Sequence, residues 1–557
     1  MIQPEQKSSL SQMNKIFSIF IVIFSCVAAL SAQAPKPDLI LFNGKIFTSD
    51  AANPTASAIA ISGERIVAVG TTETIRKLGG SATRIIDLDG RTVVPGFNDA
   101  HTHFGMSIEG TTLPFNSMEP TWDEVVDALK TAVKAAPKGG WIYGTVGGVA
   151  MNDKRAFRDS LDVIAPDHPV FLTAYYGHGR VFNRQAMNEL KIMEREPDTI
   201  GGRFERDPKT GRLLGRVFSY SQWQYDRKLA QGVSDEKIIA GLKAMSDEAI
   251  GYGITSLQIM TMMPLDRFVK LARKAKLPVR IRAIPLPMVN RDRRDLTELS
   301  LFKSLNQPGS KVIVSGIKWI LDGTPFEHAA AMRQPYADRP ETSGVLNFSE
   351  SEIEAMLRES LRFDQQILFH AVGDRTVETV LNTMEKVGRG KIDWPSKRVR
   401  IEHGEGVSGE LIDRARKLGV IVVQNPTHFS VVEMMYARWT PQMKFSTQRS
   451  LIEKGIPYAI GSDGPLNTGL NVMFASIHPA RPSEAITREQ AVKAYTYGSA
   501  FAEFAEKRKG TLAKGMLADL AVLSQDIFAV EPNALPATTS LLTIVGGKVV
   551  YDAKVLK

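Results

Sequence analysis

The sequence predicts an α/β protein: a (β/α)8 barrel of the TIM type, with a small β domain built from both chain ends and an insertion after the first barrel strand. Three observations carry this prediction. Short apolar runs bounded by turn residues stand at both ends of the 557-residue chain. Eight β-rich runs, most of them separated by helical patterns, occupy the middle. The first two of those runs are too far apart for one crossover connection.

At the N-terminal end the runs are Leu39–Phe47, Ile59–Val69 around a Gly63-Glu64 turn, and Arg84–Leu88. At the C-terminal end they are Ala518–Leu523, Leu541–Val545 and Lys548–Tyr551, the last two around Gly546-Gly547. The predicted barrel strands are Thr92–Phe97, Ile254–Gln258, Val279–Ile284, Ile313–Ile320, Gln366–Phe369, Arg398–Ile401, Val420–Gln424 and Tyr458–Ile460. A helix is predicted over Ser349–Arg362, where Ser349 and Glu352 form a capping box and Ile353, Met356, Leu357 and Leu361 supply the apolar face. The expected division is 35–90 with 505–557 for the composite β domain, 91–504 for the barrel, and about 110–250 for the inserted subdomain.

Residues 1–34 read as a signal peptide. Lys7 and Lys15 precede the uncharged run Ile16–Leu30, and Ala32-Gln33-Ala34 is an A-x-A cleavage pattern. The run falls short of the ~20 residues needed to span a bilayer. Export to the periplasm or outside of a bacterium is expected, with no stable membrane insertion after cleavage. Cys26 is the only cysteine and would leave with the signal, so disulfides and a cysteine-based zinc finger are excluded. The net charge of +9 is not gathered into long runs, and no nucleic-acid motif is present. A small-molecule substrate is the expected partner, and a homodimer is compatible with the sequence.

The chemistry is carried by few residues, because the chain has nine histidines. His101 and His103 follow the first predicted strand. A spacing of two on an extended chain puts both imidazoles on one face, where they can share a metal ion. His370, His403 and Asp463 end the fifth, sixth and eighth strands, and Lys318 lies in the fourth. All six would point into the C-terminal mouth, where barrel enzymes place their catalytic groups. Singly, each has an ordinary structural explanation; together, in that order, they define a candidate metal site.

These residues sit in motifs that resemble the amidohydrolase superfamily, and within it the branch of N-substituted formamide deformylase. The motifs are PGFNDAHTH (95–103), LDVIAPDHPVFL (161–172), GIKWILDGT (316–324), QPYAD (334–338), LFHAVGDR (368–375), RIEHGE (400–405), VVQNPTH (422–428), IGSDGP (460–465), AYTYGSA (494–500) and KGMLADLAVL (514–523). The resemblance covers about 37–557 and implies that the small β domain is a sandwich.

It also implies two divalent ions, usually zinc. His101 and His103 would bind the first and His370 and His403 the second. Lys318, carboxylated by carbon dioxide, would bridge both. An amine cannot bridge two cations while protonated, whereas a carbamate presents two anionic oxygens. Asp463 would bind the first ion and act as general base and acid. The implied reaction is cleavage of a non-peptide C–N bond, of amide, N-acyl or N-formyl type, by a metal-bridging hydroxide. His178 is carried over as a residue directed at substrate. His428 and Trp141 are candidate substrate contacts.

Three departures fall where substrate would be recognised. Gly177 stands where the branch often has aspartate, GRVFSYSQW lacks an expected acid, and the Gln-Pro of the seventh strand is interrupted by Asn425. Formamide specificity is therefore not implied. The alternatives are a mononuclear deaminase or esterase on the same fold, and a silent binding protein, which would need a missing ligand.

Overall fold

The computed structural model describes residues 36–105, 108–439 and 444–556. The predicted signal peptide lies outside them. Among the described residues no helix is long and apolar enough to cross a membrane.

The central strands are β1 (Phe97–Thr102), β2 (Ile254–Thr261), β3 (Arg280–Pro285), β4 (Val312–Val314), β5 (Ile317–Ile320), β6 (Ile367–Ala371), β7 (Arg400–His403), β8 (Ile421–Gln424) and β9 (Tyr458–Ile460). They pair in parallel in two sheets, β4-β3-β2-β1 and β5-β6-β7-β8-β9. Nearly every residue of these strands is buried, as expected when both faces of a parallel sheet are covered. The edges β1 and β9 are linked just beyond β9: the Asp463 N–H donates to the His101 carbonyl at 2.9 Å. The Ser462 N–H donates to the Asp99 carboxylate at 3.0 Å.

Two predicted strands are corrected. The run Thr92–Phe97 is divided: Thr92–Pro95 pairs with terminal strands, and β1 begins at Phe97. Gly96 is the pivot, because a Cβ there would lie 2.3 Å from the Thr255 side chain. His101 therefore lies inside a strand and not past its end. Ile313–Ile320 is likewise broken, since β4 pairs with β3 and β5 with β6. Gly316 makes the break with φ of +83°, a backbone conformation that favours glycine. The fifth predicted strand runs on to Ala371, so His370 is also within a strand.

Both chain ends meet in one six-stranded sheet of order Lys548–Asp552, Ser540–Val545, Leu520–Leu523, Thr92–Pro95, Lys45–Phe47, Thr55–Ala56. A four-stranded sheet of order Arg65–Gly70, Ala58–Ser62, Leu39–Phe42, Arg84–Asp87 shares its apolar core through Leu41, Ile59, Val93, Leu520 and Ile544. The predicted run Leu39–Phe47 is interrupted at Asn43, whose φ is +59°.

Between β1 and β2 stands a further six-stranded mixed sheet, from Thr111–Thr112 to Leu213–Ser219. A helix at Trp122–Ala135 with a Thr121/Glu124 capping box packs on it through Trp122, Val125 and Leu129. The helix Glu350–Arg362 carries the Ser349/Glu352 capping box, with Ile353, Met356 and Leu357 buried.

Candidate metal centre

The pleat of β1 turns His101 and His103 to one side, with ring centroids 5.3 Å apart. His403, the last residue of β7, lies 4.7 Å from His101 and 4.4 Å from His370. His370 touches His178 at 5.1 Å, and His428 stacks on His403 at 5.7 Å. Six histidines, far apart in sequence, thus form one continuous cluster.

Asp463 faces this cluster from the loop after β9, in a left-handed conformation with φ of +43°. Its carboxylate is 3.4 Å from His103 Nε2, 3.7 Å from His101 Nε2 and 3.7 Å from His428 Nε2. Donor atoms of His101, His103 and Asp463 all lie within 4.8 Å of one another, and those of His403, His428 and Asp463 form a second trio. The second trio contains His428 where the resemblance implied His370.

Ring orientation is set by outer partners. His101 Nδ1 lies 2.6 Å from Glu402, His103 Nδ1 3.0 Å from the Met260 carbonyl, and His403 Nδ1 2.8 Å from the Asn425 side-chain oxygen. These three rings keep Nε2 as the free donor. His370 is turned the other way: its Nε2 faces the Gly323 carbonyl at 3.4 Å, which leaves the lone pair on Nδ1. None of these outer partners was legible in the sequence. Glu402 lies just beyond the predicted strand Arg398–Ile401, next to the more conspicuous His403, and a carbonyl partner carries no signal in residue type.

Burial is the largest cause that holds His101, His370 and His403 well below the ordinary histidine pKa, with neighbouring positive groups adding to it; His103, whose side chain is 37% exposed, is lowered against the opposing charge of Asp463. They are neutral near pH 7, as metal ligands must be. His178 is lowered to about 3, again mainly by burial. His428 differs. Burial pulls it down, but Glu405 and Asp463 outweigh that and hold it above the usual value.

Lys318 lies on β5, 1% exposed, and its Nζ has no hydrogen-bond partner. Burial lowers its pKa to about 8. A buried ammonium without a partner is costly, so this amine is poised to lose its proton. The orphaned His101 Nε2 and Lys318 Nζ, with the neutral imidazoles and one carboxylate, form a donor set that fits divalent cations.

The second rank of predicted residues is less uniform. His178 is buried against Trp223 at 5.3 Å, and its Nδ1 is 3.9 Å from Glu327. Burial raises the Glu327 carboxyl to about 7. Trp141 packs edge-on to Phe171 at 5.8 Å in the apolar cluster of the insertion, and its described contacts are there. Asp322, unforeseen, is buried 3.6 Å from His370 Nε2 and accepts from the Val372, Gly373 and Ala331 N–H groups and the Thr376 hydroxyl.

The chain is similar to known proteins along most of its length. The chain is 27% identical over 547 residues to the amidohydrolase YtcJ of Bacillus subtilis (strain 168), covering 92% of this chain and 99% of that one. It is 24% identical over 550 residues to the N-substituted formamide deformylase of Arthrobacter pascens, covering 92% and 98%. A metal-dependent hydrolase from Pyrococcus horikoshii OT3 has a similar fold, with a TM-score of 0.67 at 22% identity over 89% of this chain and 99% of that one. The pattern of the amidohydrolase family matches residues 84–551, and on that match this chain belongs to the amidohydrolase family.

Proposed function

We propose that the protein hydrolyses a non-peptide C–N bond, in an amide or N-acyl group, at a centre of two divalent cations inside a closed (β/α)8 barrel. The observation that carries this reading is Lys318: a buried amine with no partner, beside neutral histidines and one carboxylate. In its neutral form Nζ adds to carbon dioxide, forming an N–C bond and releasing one proton. The resulting carbamate would offer the cations two anionic oxygens, which lysine itself lacks. Zinc is the expected metal, because imidazole and carboxylate ligands suit it.

His101, His103 and Asp463 would hold one cation, and His370 and His403 the other. Bound there, the cations would lower the pKa of water and polarise a carbonyl. The protein's own groups do the rest. Asp463 touches the histidine cluster with a side chain 19% exposed, so it can take a proton from water and return it to the leaving nitrogen. An amine needs that proton to depart. His178 and His428 flank the cluster from opposite sides and would position the substrate. The similarity to a formamide deformylase supports C–N chemistry, but formamide itself is not carried over, because the chain departs from that branch at Gly177, Gly215–Trp223 and Asn425, the last of which holds the proposed ligand His403.

One observation favours a second reading. His370 belongs to neither trio of convergent donor atoms, whereas His101, His103 and Asp463 form one. A single cation at that trio would make deamination or ester hydrolysis as suitable as amide cleavage. Metal content per chain, measured with bicarbonate present, separates the two. Two ions in the wild type, falling to one or none in Lys318→Ala, support the bridged pair. One ion in both proteins removes Lys318 from the centre.

A further inference from the structure

The motif RIEHGE contains a charged residue to which the proposed reaction assigns no part. Glu402 lies on β7 between Arg400 and His403, and its side chain is 0% exposed. One carboxylate oxygen is 2.6 Å from His101 Nδ1. Both oxygens are also held by Arg400: Nε to Oε1 at 2.7 Å and Nη2 to Oε2 at 2.9 Å. Arg400 is itself buried, and it donates further to the Ala100 carbonyl at 2.8 Å and to Gln258 Oε1 at 2.6 Å. A chain of charge-assisted bonds thus crosses the interior from β7 to β1 and β2, beneath the histidine cluster.

The two nitrogens of a histidine ring are distinct, and which one binds a metal is set by the hydrogen bond the other makes. Both Glu402 oxygens accept from Arg400, a side chain with donors only, so the contact with His101 places the ring proton on Nδ1, facing Glu402. Nε2 then carries the lone pair, and it is the atom that lies buried without a partner. Arg400 has a separate task. By donating to both oxygens it holds the Glu402 side chain in place and prevents it from swinging into the cluster as a ligand in its own right. His103 and His403 are pinned by neutral oxygens, which orient a ring but hold its proton less firmly.

We propose that Glu402, clamped by Arg400, is the positioning residue of the metal centre: it fixes His101 as the Nδ1-protonated tautomer with Nε2 directed at the cation. This rests on the metal-centre reading above.

The test is Glu402→Gln, which keeps the size but offers an amide whose N–H can face His101 and drive the proton to Nε2. Zinc affinity, measured by competition with a chelator, is expected to fall about 10- to 100-fold. The visible spectrum of the cobalt-loaded variant should differ from that of the wild type. A Glu402→Gln protein with wild-type zinc affinity and an unchanged cobalt spectrum overturns the proposal. A wild-type protein that binds no divalent ion overturns the metal reading and this inference with it. Should Glu402→Gln not fold, the wild type supplies the answer. In 15N-histidine spectra of the metal-free protein, with His101 identified by its loss in His101→Asn, a proton on Nδ1 supports the proposal and a proton on Nε2 overturns it.

Discussion

Single side chains in this protein are tuned by which lone pair is left free, and His478 shows the same logic away from the metal centre. Its Nε2 donates to the Ser446 carbonyl at 2.9 Å, and its Nδ1 accepts from the Arg481 N–H at 3.0 Å. The ring lies flat on Phe429 at 4.1 Å. A second ring proton would meet the Arg481 N–H head-on. Burial is the main cause that lowers this histidine to about 4. The sign of the effect follows. Above about pH 6.5 both folded and unfolded forms are neutral and the full stability is present. As pH falls from about 6.5 toward 4, the unfolded chain takes up a proton that the folded one refuses, and stability drops by about 3 kcal/mol from this group. His478→Gln should flatten the fall of the urea midpoint across that window, and an unchanged slope would remove His478 as its source. Nothing in the type or spacing of His478 shows which backbone groups it meets, so its part is not legible in the sequence. The residues of the candidate metal centre stand out in the sequence for the opposite reason: a histidine or aspartate at the end of an apolar run is conspicuous, and the order His101, His103, Lys318, His370, His403, Asp463 compounds the signal.

At the level of elements, strand positions were legible and strand breaks were not. Tyr458–Ile460 was predicted with the bounds observed. Thr92–Phe97 and Ile313–Ile320 were read as continuous, because hydrophobic periodicity does not register a change of partner. The breaks lie at Gly96 and Gly316, each reduced to a hydrogen side chain by a neighbour at close approach. Gly316→Ala is a direct probe. The left-handed φ alone costs about 1–2 kcal/mol. The new Cβ would also stand 2.7 Å from Arg282 Nη2 and 2.9 Å from Leu368. A lowered thermal midpoint is expected, with a shift in the register of β5 that carries Lys318. Alanine tolerated without loss of stability would mean that β4 and β5 can join without the break.

On the scale of the whole molecule, polar ties fasten the terminal sheets to the central strands. Arg280, at the start of β3, makes a two-pronged pair with Asp519, Nε at 2.7 Å and Nη2 at 3.1 Å. The Asp519 carboxylate also accepts from the Gly546 N–H at 2.7 Å. Asp519→Asn leaves Arg280 without its counter-charge, and a loss of about 3 kcal/mol is expected for a largely buried pair. Differential scanning calorimetry would detect it, and a midpoint within error of the wild type would show that the tie contributes little. That both ends contribute strands was anticipated from the turn residues at Gly63-Glu64 and Gly546-Gly547. Which end strand lies beside which was not, since strand order depends on contacts distant in sequence. The pairing of Leu520–Leu523 with Thr92–Pro95 sets an order of events in synthesis. The strand that leads into His101 waits for a neighbour made more than four hundred residues later. A chain cut short on the ribosome keeps that edge open and its apolar face wet, so an incomplete copy exposes itself to proteolysis before it can hold the two flanks of its own centre together.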